Sequence, residues 1–327
     1  MRRRTLIRSA VGLPISVLFL WLALRGADLG EAVRLIRGAD PRLIGLAAAV
    51  LMFGIWLRAV RWRILLNPLG ATTLPQSFSA LTIGYLANNA LPARLGEIVR
   101  VIILHRDAGI PRAGSLGTIV VERLFDVLTL LLLLGVAAIA SGWENPWAGA
   151  FGLAGIGAVG GLAVTYTIAA RAVAPPAWLK RLWQPWQARL PNRVVEVGAG
   201  FLAGFANVAS AGAVARVLLL SIASWTFEAS VYFLVMWAMD IKTGGMWMAT
   251  LVSSLSNLAG VIPAGPANLG PFEYFAKETL LGFAVSAEVA VAFAVAAHLL
   301  IIVPPSVIGG LLLLRGGFRA HNEATGA

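Results

Sequence analysis

A polar stretch at positions 87–100 carries the residue types that could do chemistry in an otherwise hydrophobic chain. Two Asn, two Arg, a Glu, a Pro and a Gly lie there, whereas 59% of the whole chain is hydrophobic. Arginine forms paired hydrogen bonds with phosphate or carboxylate groups. Charged side chains and a helix-breaking Pro persist at membrane depth only where they face protein or a wet cavity. The stretch therefore predicts a site for an anionic or polar group, formed by Asn89, Pro92, Arg94, Gly96, Glu97 and Arg100.

The spacing within this stretch is compatible with a binding role and with a structural role. Gly96 is predicted to begin a short helix, and its first amides, with Arg94 beside them, suit a phosphate or carboxylate. Arg94, Glu97 and Arg100 are three residues apart, so they can share one helix face. In the alternative interpretation, Arg94 and Glu97 only cap and pin a hairpin.

A second polar break, at 257–273, lies in the other half of the chain. Its candidate residues are Asn257, Pro263, Gly270 and Glu273. Interrupted segments in corresponding positions of two halves point to the substrate site of a transporter. Glu273 falls in the first turn of a predicted helix, where a carboxylate stabilises the helix start. Capping and substrate contact both remain open for this residue.

Charged residues also occur inside predicted membrane spans. Glu122 and Asp126 are four residues apart and share a helix face, and Arg123 is rotated from them by about 100°. Arg94 or Arg100 could supply their partners; structural pairing, proton relay and substrate contact are the alternative roles. The candidates of this kind are Glu122, Arg123, Asp126 and Glu228, and Arg58, at the end of the second predicted span, is a further candidate.

The sequence surroundings of Glu228, Arg58 and His298 are less informative about their roles. Glu228 has no basic neighbour in the sequence, so it needs a distant partner or a proton. Arg58, with Arg61 and Arg63, is typical of a positive membrane boundary, and a place on the headgroup path is the alternative. His298 is expected to be a satisfied core histidine.

The composition predicts the class of protein. A mean hydropathy of +0.82 with 13% charged residues predicts an all-α polytopic integral membrane protein. The net charge of +11 favours membrane lipids over nucleic acid as partner, because the Arg residues adjoin hydrophobic spans. With three His and no Cys, neither a metal cluster nor a disulfide is expected. No nucleotide-binding or nucleophile motif occurs, so no cofactor and no enzymatic activity are predicted.

Hydrophobic runs divide the chain into spans and shorter elements. A single transmembrane domain, 1–327, is predicted, with an uncleaved first helix. The halves cover 11–140 and 214–314, and an amphipathic interfacial linker covers 171–213. Within this linker, 197–211 could be a seventh crossing, but it is short and rich in Gly and Ala, so it is predicted to lie at the interface. Six spans and two broken re-entrant helical hairpins are expected: spans 11–24, 43–57, 116–140, 148–170, 214–239 and 289–314, and hairpins 76–104 and 245–284.

The distribution of Lys and Arg predicts the orientation. The segment 141–147 has no Lys or Arg, which suits the outside, whereas 171–195 is basic, which suits the inside. Both termini are then cytoplasmic. Trp56 precedes Pro92 at nearly the spacing by which Trp225 precedes Pro263, and the two spans would run in opposite directions. An inverted repeat is therefore predicted; coincidence in a chain with 11 Trp is the alternative.

Four motifs recur in one known family. They are Arg58-x-x-Arg61-Trp62-Arg63, Asn89-x-x-Pro92-Ala93-Arg94-x-Gly96-Glu97-x-x-Arg100, Glu122-Arg123-x-x-Asp126, and Pro263-Ala264-Gly265 with Leu269-Gly270-x-x-Glu273. Together, across about 43–314, they resemble the lysylphosphatidylglycerol synthase transmembrane-region family, also called the flippase-like domain. The second break is longer than that family's Pro-Gly-Gly-Leu-Gly pattern. Some members carry a following aminoacyltransferase domain, whose activity is not expected in a sequence that ends at Ala327.

The resemblance implies movement of lipid between leaflets. The expected function is a flippase for a polar or anionic lipid in a bacterial cytoplasmic membrane. One alternative is an accessory subunit that presents lipid to a separate enzyme. The other is a membrane enzyme that modifies a headgroup with Glu122 or Asp126 as base. A second copy of the chain or a lipid-biosynthesis enzyme is a candidate partner.

Overall fold

A computed structural model describes residues 2–91, 95–141, 148–173 and 191–325. Within these ranges the regular structure is entirely helical, with twelve α-helices and four short 3₁₀ turns. In chain order the helices are α1 (Arg2–Leu24), α2 (Leu29–Gly38), α3 (Pro41–Leu66), α4 (Leu74–Ala90), α5 (Gly96–Ala108), α6 (Arg112–Ala140), α7 (Ala148–Val173), α8 (Asn192–Ala203), α9 (Ala211–Ala238), α10 (Gly245–Leu258), α11 (Pro271–Leu281) and α12 (Ala287–Thr325).

Helix starts are defined by side chains that accept the first free amides. Asp28 and Asp40 do so for α2 and α3. Thr73 and Gln76 form a reciprocal capping box at α4, and Ser210 caps α9. These caps allow helices to follow one another through turns of only a few residues.

Four helices in the described ranges are long and apolar enough to cross a membrane. They are Pro41–Leu69, Arg112–Ala140, Ala211–Ala238 and Ala287–Arg315. This architecture confirms the all-α polytopic membrane class. The predicted span 11–24 does not qualify by itself: α1 qualifies only together with α2, bent by 82°. Helix α7 covers the predicted span 148–170. Gly26, with a φ of +80°, lies in the bend between α1 and α2.

The second predicted span, 43–57, is too short. Helix α3 continues through Arg58, Arg61 and Arg63 to Leu66, and Arg61 is fully buried. Arg58 and Arg61 are therefore not solvated anchors at a membrane boundary, because carboxylates of other helices neutralise them inside the fold. Arg63 is exposed and donates from Nε to the Thr72 carbonyl at 2.8 Å.

The two halves contain matching helices with matching packing partners. Helices α2 to α6 correspond in order to α8 to α12. In the first half α2, α3 and α4 pack against α12; in the second, α8, α9 and α10 pack against α6. Helices α4 and α5 form one hairpin, α10 and α11 the other, and α3 packs along its counterpart α9. This pattern supports an internal duplication, and the opposite membrane orientation of the halves stays a prediction.

Helix α8 lies within the predicted linker, 171–213. It packs against α6 where Gly117 meets the backbone of Phe201 and Gly204. Residues 174–190 of this predicted linker lie outside the described residues.

Candidate functional site

Eight charged side chains from α3, α5, α6 and α9 form one cluster, here called the charge network. Its members are Arg58, Arg61, Glu97, Arg100, Glu122, Arg123, Asp126 and Glu228. It contains four Arg and four carboxylates, so opposite charges balance within it. Ion pairs join six of them, and Trp225 joins the remaining pair, Arg58 and Glu228, to Asp126. Seven of the eight were predicted as site residues; Arg61 was not.

The centre of the charge network is held by α6. Arg61 Nη1 donates to Asp126 Oδ1 and to Ser221 Oγ, both at 2.7 Å. Arg100 donates to both oxygens of Glu122, at 3.1 and 2.9 Å, as expected for a guanidinium facing a carboxylate. The sequence prediction that Arg94 or Arg100 supplies a partner for these carboxylates is confirmed for Arg100.

Tryptophan rings cover two of the four guanidinium groups of the network. Arg100 lies over Trp62 at 4.1 Å from the ring centre, and Arg58 lies over Trp225 at 4.3 Å. The Trp225 indole N–H also donates to Asp126 at 3.1 Å. An aromatic face attracts a cation more strongly where water is excluded.

Glu228 obtains the distant partner that its isolation in the sequence required. Arg58 on α3 donates to its carboxylate from Nη2, and both side chains are nearly buried. Arg58 Nη1 also donates to the Tyr85 hydroxyl at 3.3 Å. This ion pair joins the packed helices α3 and α9, the counterparts of the two halves.

Arg123 forms the accessible edge of the charge network. Its side chain is 39% exposed and lies 3.1 Å from Glu122, 3.5 Å from Asp126 and 3.4 Å from Glu97. Glu97 is itself partly exposed. Three carboxylates thus hold one guanidinium at the partly exposed edge of the charge network.

Several buried guanidinium nitrogens have no hydrogen-bond acceptor among the described residues. They are Nε of Arg58, Arg61, Arg100 and Arg123, and Nη2 of Arg61. Two of these atoms still lie within ion-pair range of a carboxylate: Arg123 Nε is 3.4 Å from Glu97 and Arg61 Nη2 is 3.9 Å from Glu122. A buried donor without an acceptor is costly, so such groups commonly mark an ion, a water or a ligand. The network therefore has spare donor capacity for an anion.

The first break, 87–100, has the predicted helix start, and the first of its amides already has a side-chain acceptor. Helix α5 begins at Gly96, and the Gly96 amide donates to the Asn88 side chain at 2.8 Å. Asn89 donates to Ser306 on α12 at 2.9 Å and is not part of the charge network. Pro92 and Arg94, on which the sequence argument placed most weight, lie outside the described residues.

The second break forms a separate buried cluster around α11. Glu273 Oε2 accepts from the Gly270 amide at 2.7 Å, so the predicted capping role is present. Its other oxygen lies 2.5 Å from His298 Nδ1, and His298 Nε2 lies 2.9 Å from the Ala267 carbonyl. His298 is thus a buried partner of Glu273, a contact that its apolar surroundings in the sequence did not indicate.

The remaining predicted residues of the second break lie apart from this pair. Asn257 donates to the Tyr232 hydroxyl at 3.1 Å and to the Ser253 carbonyl at 2.9 Å. Pro263 is exposed in the turn after α10. Lys277, which the sequence argument missed, is buried and donates to the Arg25 carbonyl at 2.8 Å, near the end of α1.

This fold and its buried charge network define a multi-pass α-helical membrane protein with a polar site inside the helix bundle. The chain belongs to the family described as the lysylphosphatidylglycerol synthase TM region, whose model matches residues 9–309. The resemblance noted in the sequence motifs is therefore confirmed.

Three archaeal proteins are similar to this chain. A glycosyltransferase, AglD, of Haloferax volcanii is 28% identical and aligns with 83% of this chain and 48% of its own length. A UPF0104 membrane protein of Methanothermobacter thermautotrophicus is 23% identical over 74% of this chain and 73% of its own length. Another, from Methanocaldococcus jannaschii, is 25% identical over 40% of each chain. The chain thus spans about half the length of AglD.

The comparison corrects one sequence prediction. Enzymatic activity was excluded for want of a catalytic motif, and this exclusion is wrong because a relative across most of the chain is named a glycosyltransferase. The motifs sought belong mainly to soluble enzymes, so their absence is a weak guide for residues inside a membrane bundle. Enzymatic activity is therefore among the functions to be tested.

Proposed function

We propose that the charge network binds the anionic headgroup of a membrane lipid and that the chain moves this lipid between leaflets. Three buried guanidinium donors without a hydrogen-bond acceptor among the described residues carry the proposal: Nε of Arg58, of Arg61 and of Arg100. Phosphate oxygens accept several hydrogen bonds at once and fit the fork of an Arg side chain. The tails would stay in the bilayer while the headgroup passes Arg123.

Balanced charge makes such a site suitable for transport. Four carboxylates hold the four Arg side chains when no headgroup is present. A bound phosphate would then compete with Glu97 and Asp126 for Arg123, so binding would not be so tight as to prevent release. The family membership and the two matching halves support this function.

Arg123→Gln should weaken binding of an anionic lipid about 10- to 100-fold, since a hydrogen bond to a charged group contributes roughly 1.5–3 kcal/mol. The measurement is lipid retention by native mass spectrometry, with phosphatidylglycerol as the anionic probe and phosphatidylcholine, a zwitterionic lipid without net charge, as the comparison. Fluorescent phosphatidylglycerol in reconstituted vesicles gives the rate of movement between leaflets.

Arg112→Gln is the matched control, because Arg112 is exposed at the start of the same helix. This variant should bind and move lipid as the unmodified protein does. Equal losses in both variants would trace the effect to general surface charge. Full retention of phosphatidylglycerol by the Arg123 variant would exclude the headgroup site proposed here.

Glycosyl transfer is a second candidate, which the name of the Haloferax relative supports. Glu122 and Asp126 each contact more than one Arg, so Arg side chains occupy their oxygens. Glu97 contacts only Arg123 among the described ion pairs and is partly exposed, so it is the carboxylate that a headgroup hydroxyl could reach. Incubation with nucleotide sugars and mass spectrometry of the lipids tests this function: a new glycolipid, lost in Glu97→Gln, would support it.

We also propose a cytoplasmic-membrane location with both termini inside. Cys introduced at Glu144 should react with an impermeant thiol reagent from outside, whereas Cys at Lys180 should not. The chain has no Cys of its own, so each label reports one position. Labelling of both positions from one side would contradict the orientation and the inverted repeat.

A further inference from the structure

We propose that Glu273 and His298 form a binding site for one proton, and that release of this proton frees the second break to move. The coupling of this movement to lipid transport rests on the function proposed above. The proton site itself is inferred from the hydrogen-bond geometry of the pair.

The acceptors around His298 require one more proton than a carboxylate and a neutral imidazole carry. The Ala267 carbonyl can only accept, so Nε2, at 2.9 Å, must bear a hydrogen. In a neutral imidazole Nδ1 then has only a lone pair, which faces the Glu273 oxygen at 2.5 Å. Two lone pairs repel at this distance, so a proton must lie between these atoms, on the ring or on the carboxyl group.

Loss of that proton would open the contact. The pair is buried, so water does not readily replace the missing hydrogen bond. Glu273 also caps α11 through Gly270, and His298 holds the turn that precedes this helix. Separation of the two side chains therefore acts on the whole second break.

The turn held by His298 has a reason to move when it is released. Ala267 and Asn268 adopt left-handed backbone angles, with φ of +55° and +60°, which residues with a side chain adopt at a cost. The hydrogen bond from His298 to Ala267 is one of the contacts that hold this conformation. A proton on the pair is thus linked to the geometry of the break.

Neighbouring charged and titratable groups have other partners. Lys277 on α11 binds carbonyls at the end of α1, and Tyr232 on α9 accepts a hydrogen bond from Asn257. Phe272 stacks on the His298 ring at 4.0 Å and closes one face. The other such groups with described side chains on α3, α4, α9 and α12, and just after α1, are Arg25, Arg42, Arg58, Arg61, Arg63, Tyr85, Arg216, Glu228, Glu288 and Arg315; α10 has none.

Glu273→Gln is the decisive variant because it imitates the protonated pair. Its amide can donate to His298 Nδ1 while its oxygen accepts from Gly270, and neutral His298 still donates to Ala267. His298→Asn leaves a donor for Glu273 but no ring to hold Ala267. The two variants both remove the proton site, and only the first keeps the break anchored.

A spin label on Leu269→Cys reports the break directly. Leu269 is 45% exposed between Asn268 and Gly270, and the chain has no other Cys. In otherwise unmodified protein, the ratio of mobile to immobile label should rise with pH, by up to about tenfold per pH unit for one proton. The label should stay immobile at every pH in Glu273→Gln and mobile at every pH in His298→Asn.

Two controls restrict the interpretation. Glu278→Gln changes an exposed carboxylate of the same helix and should keep the original pH response. A label on Val261→Cys, 73% exposed in the 3₁₀ turn that directly follows α10 and precedes the left-handed turn at Ala267, should show no transition. A pH response unchanged in Glu273→Gln, or the same transition at both label positions, would overturn the proton site.

Lipid movement is measured separately with phosphatidylglycerol vesicles over the same pH range. If the break controls transport, the rate should rise with pH in the unmodified protein and stay low and constant in Glu273→Gln. A label transition without lipid movement at any pH would keep the proton site and exclude the proposed function. Lipid movement that ignores both pH and Glu273→Gln would exclude the coupling and keep the proposed function.

Discussion

Replacing Arg58 by Met should lower the free energy of unfolding by about 3–5 kcal/mol, because it leaves Glu228 as an uncompensated buried charge. Glu228→Leu should have a similar cost, since Arg58 then loses its carboxylate. The double variant should cost much less than the sum of the two, because neither charge remains and the replacements are apolar. Denaturant unfolding in detergent micelles, followed by Trp fluorescence, gives the four stabilities of this cycle.

The exposed pair of Glu31 and Arg34 on α2 is the matched control. Its atoms approach to 2.5 Å, but the side chains are substantially exposed, so the coupling should be about 0–1 kcal/mol. The comparison separates burial from ion-pair geometry. A coupling between Arg58 and Glu228 as small as that of the control would mean that Glu228 does not carry a buried charge.

The membrane class and several local features could be predicted from the sequence. Hydropathy and charge content depend only on composition, and they indicated a helical membrane protein. The start of α5 at Gly96 and the capping by Glu273 follow from neighbouring residues. Such features are local, so a single sequence contains the information that determines them.

The distant partners could not be predicted in the same way. Arg58 and Glu228 are separated by 170 positions, and their contact depends on the packing of α3 against α9. A buried Arg and an interfacial Arg have the same appearance in a sequence, which is why Arg61 was assigned to the membrane boundary. Its spacing from Arg58 on one helix face was the available signal for a shared buried role.

His298 illustrates the same limit at the second break. Its neighbours on α12 are apolar, and its partner lies 25 positions earlier, after a turn with two non-glycine left-handed residues. Periodicity does not predict such a turn. The presence of one buried His and one capping Glu was visible, but the contact between them required the turn geometry.

Gly96→Ala should separate the two helices of the first hairpin and disrupt the charge network. A Cβ atom at this position would overlap the Gly84 carbonyl oxygen and the Asn88 side chain. Overpacking alone costs about 1–3 kcal/mol, and the shift also moves Arg100, one turn further along α5, away from Glu122. We expect a lower unfolding free energy in detergent and weaker phosphatidylglycerol retention from this one methyl group.

Gly45→Ala is the control for this substitution, because a Cβ at Gly45 in α3 meets open space. Ala favours a helix over Gly by about 1 kcal/mol, so this variant should be as stable as the unmodified protein or slightly more stable. Gly84→Ala tests the hairpin from the opposite side: its methyl group would overlap the Arg100 side chain. It should therefore reduce lipid retention as Gly96→Ala does. Normal lipid retention in both hairpin variants would mean that the close approach of α4 and α5 does not position the network for binding.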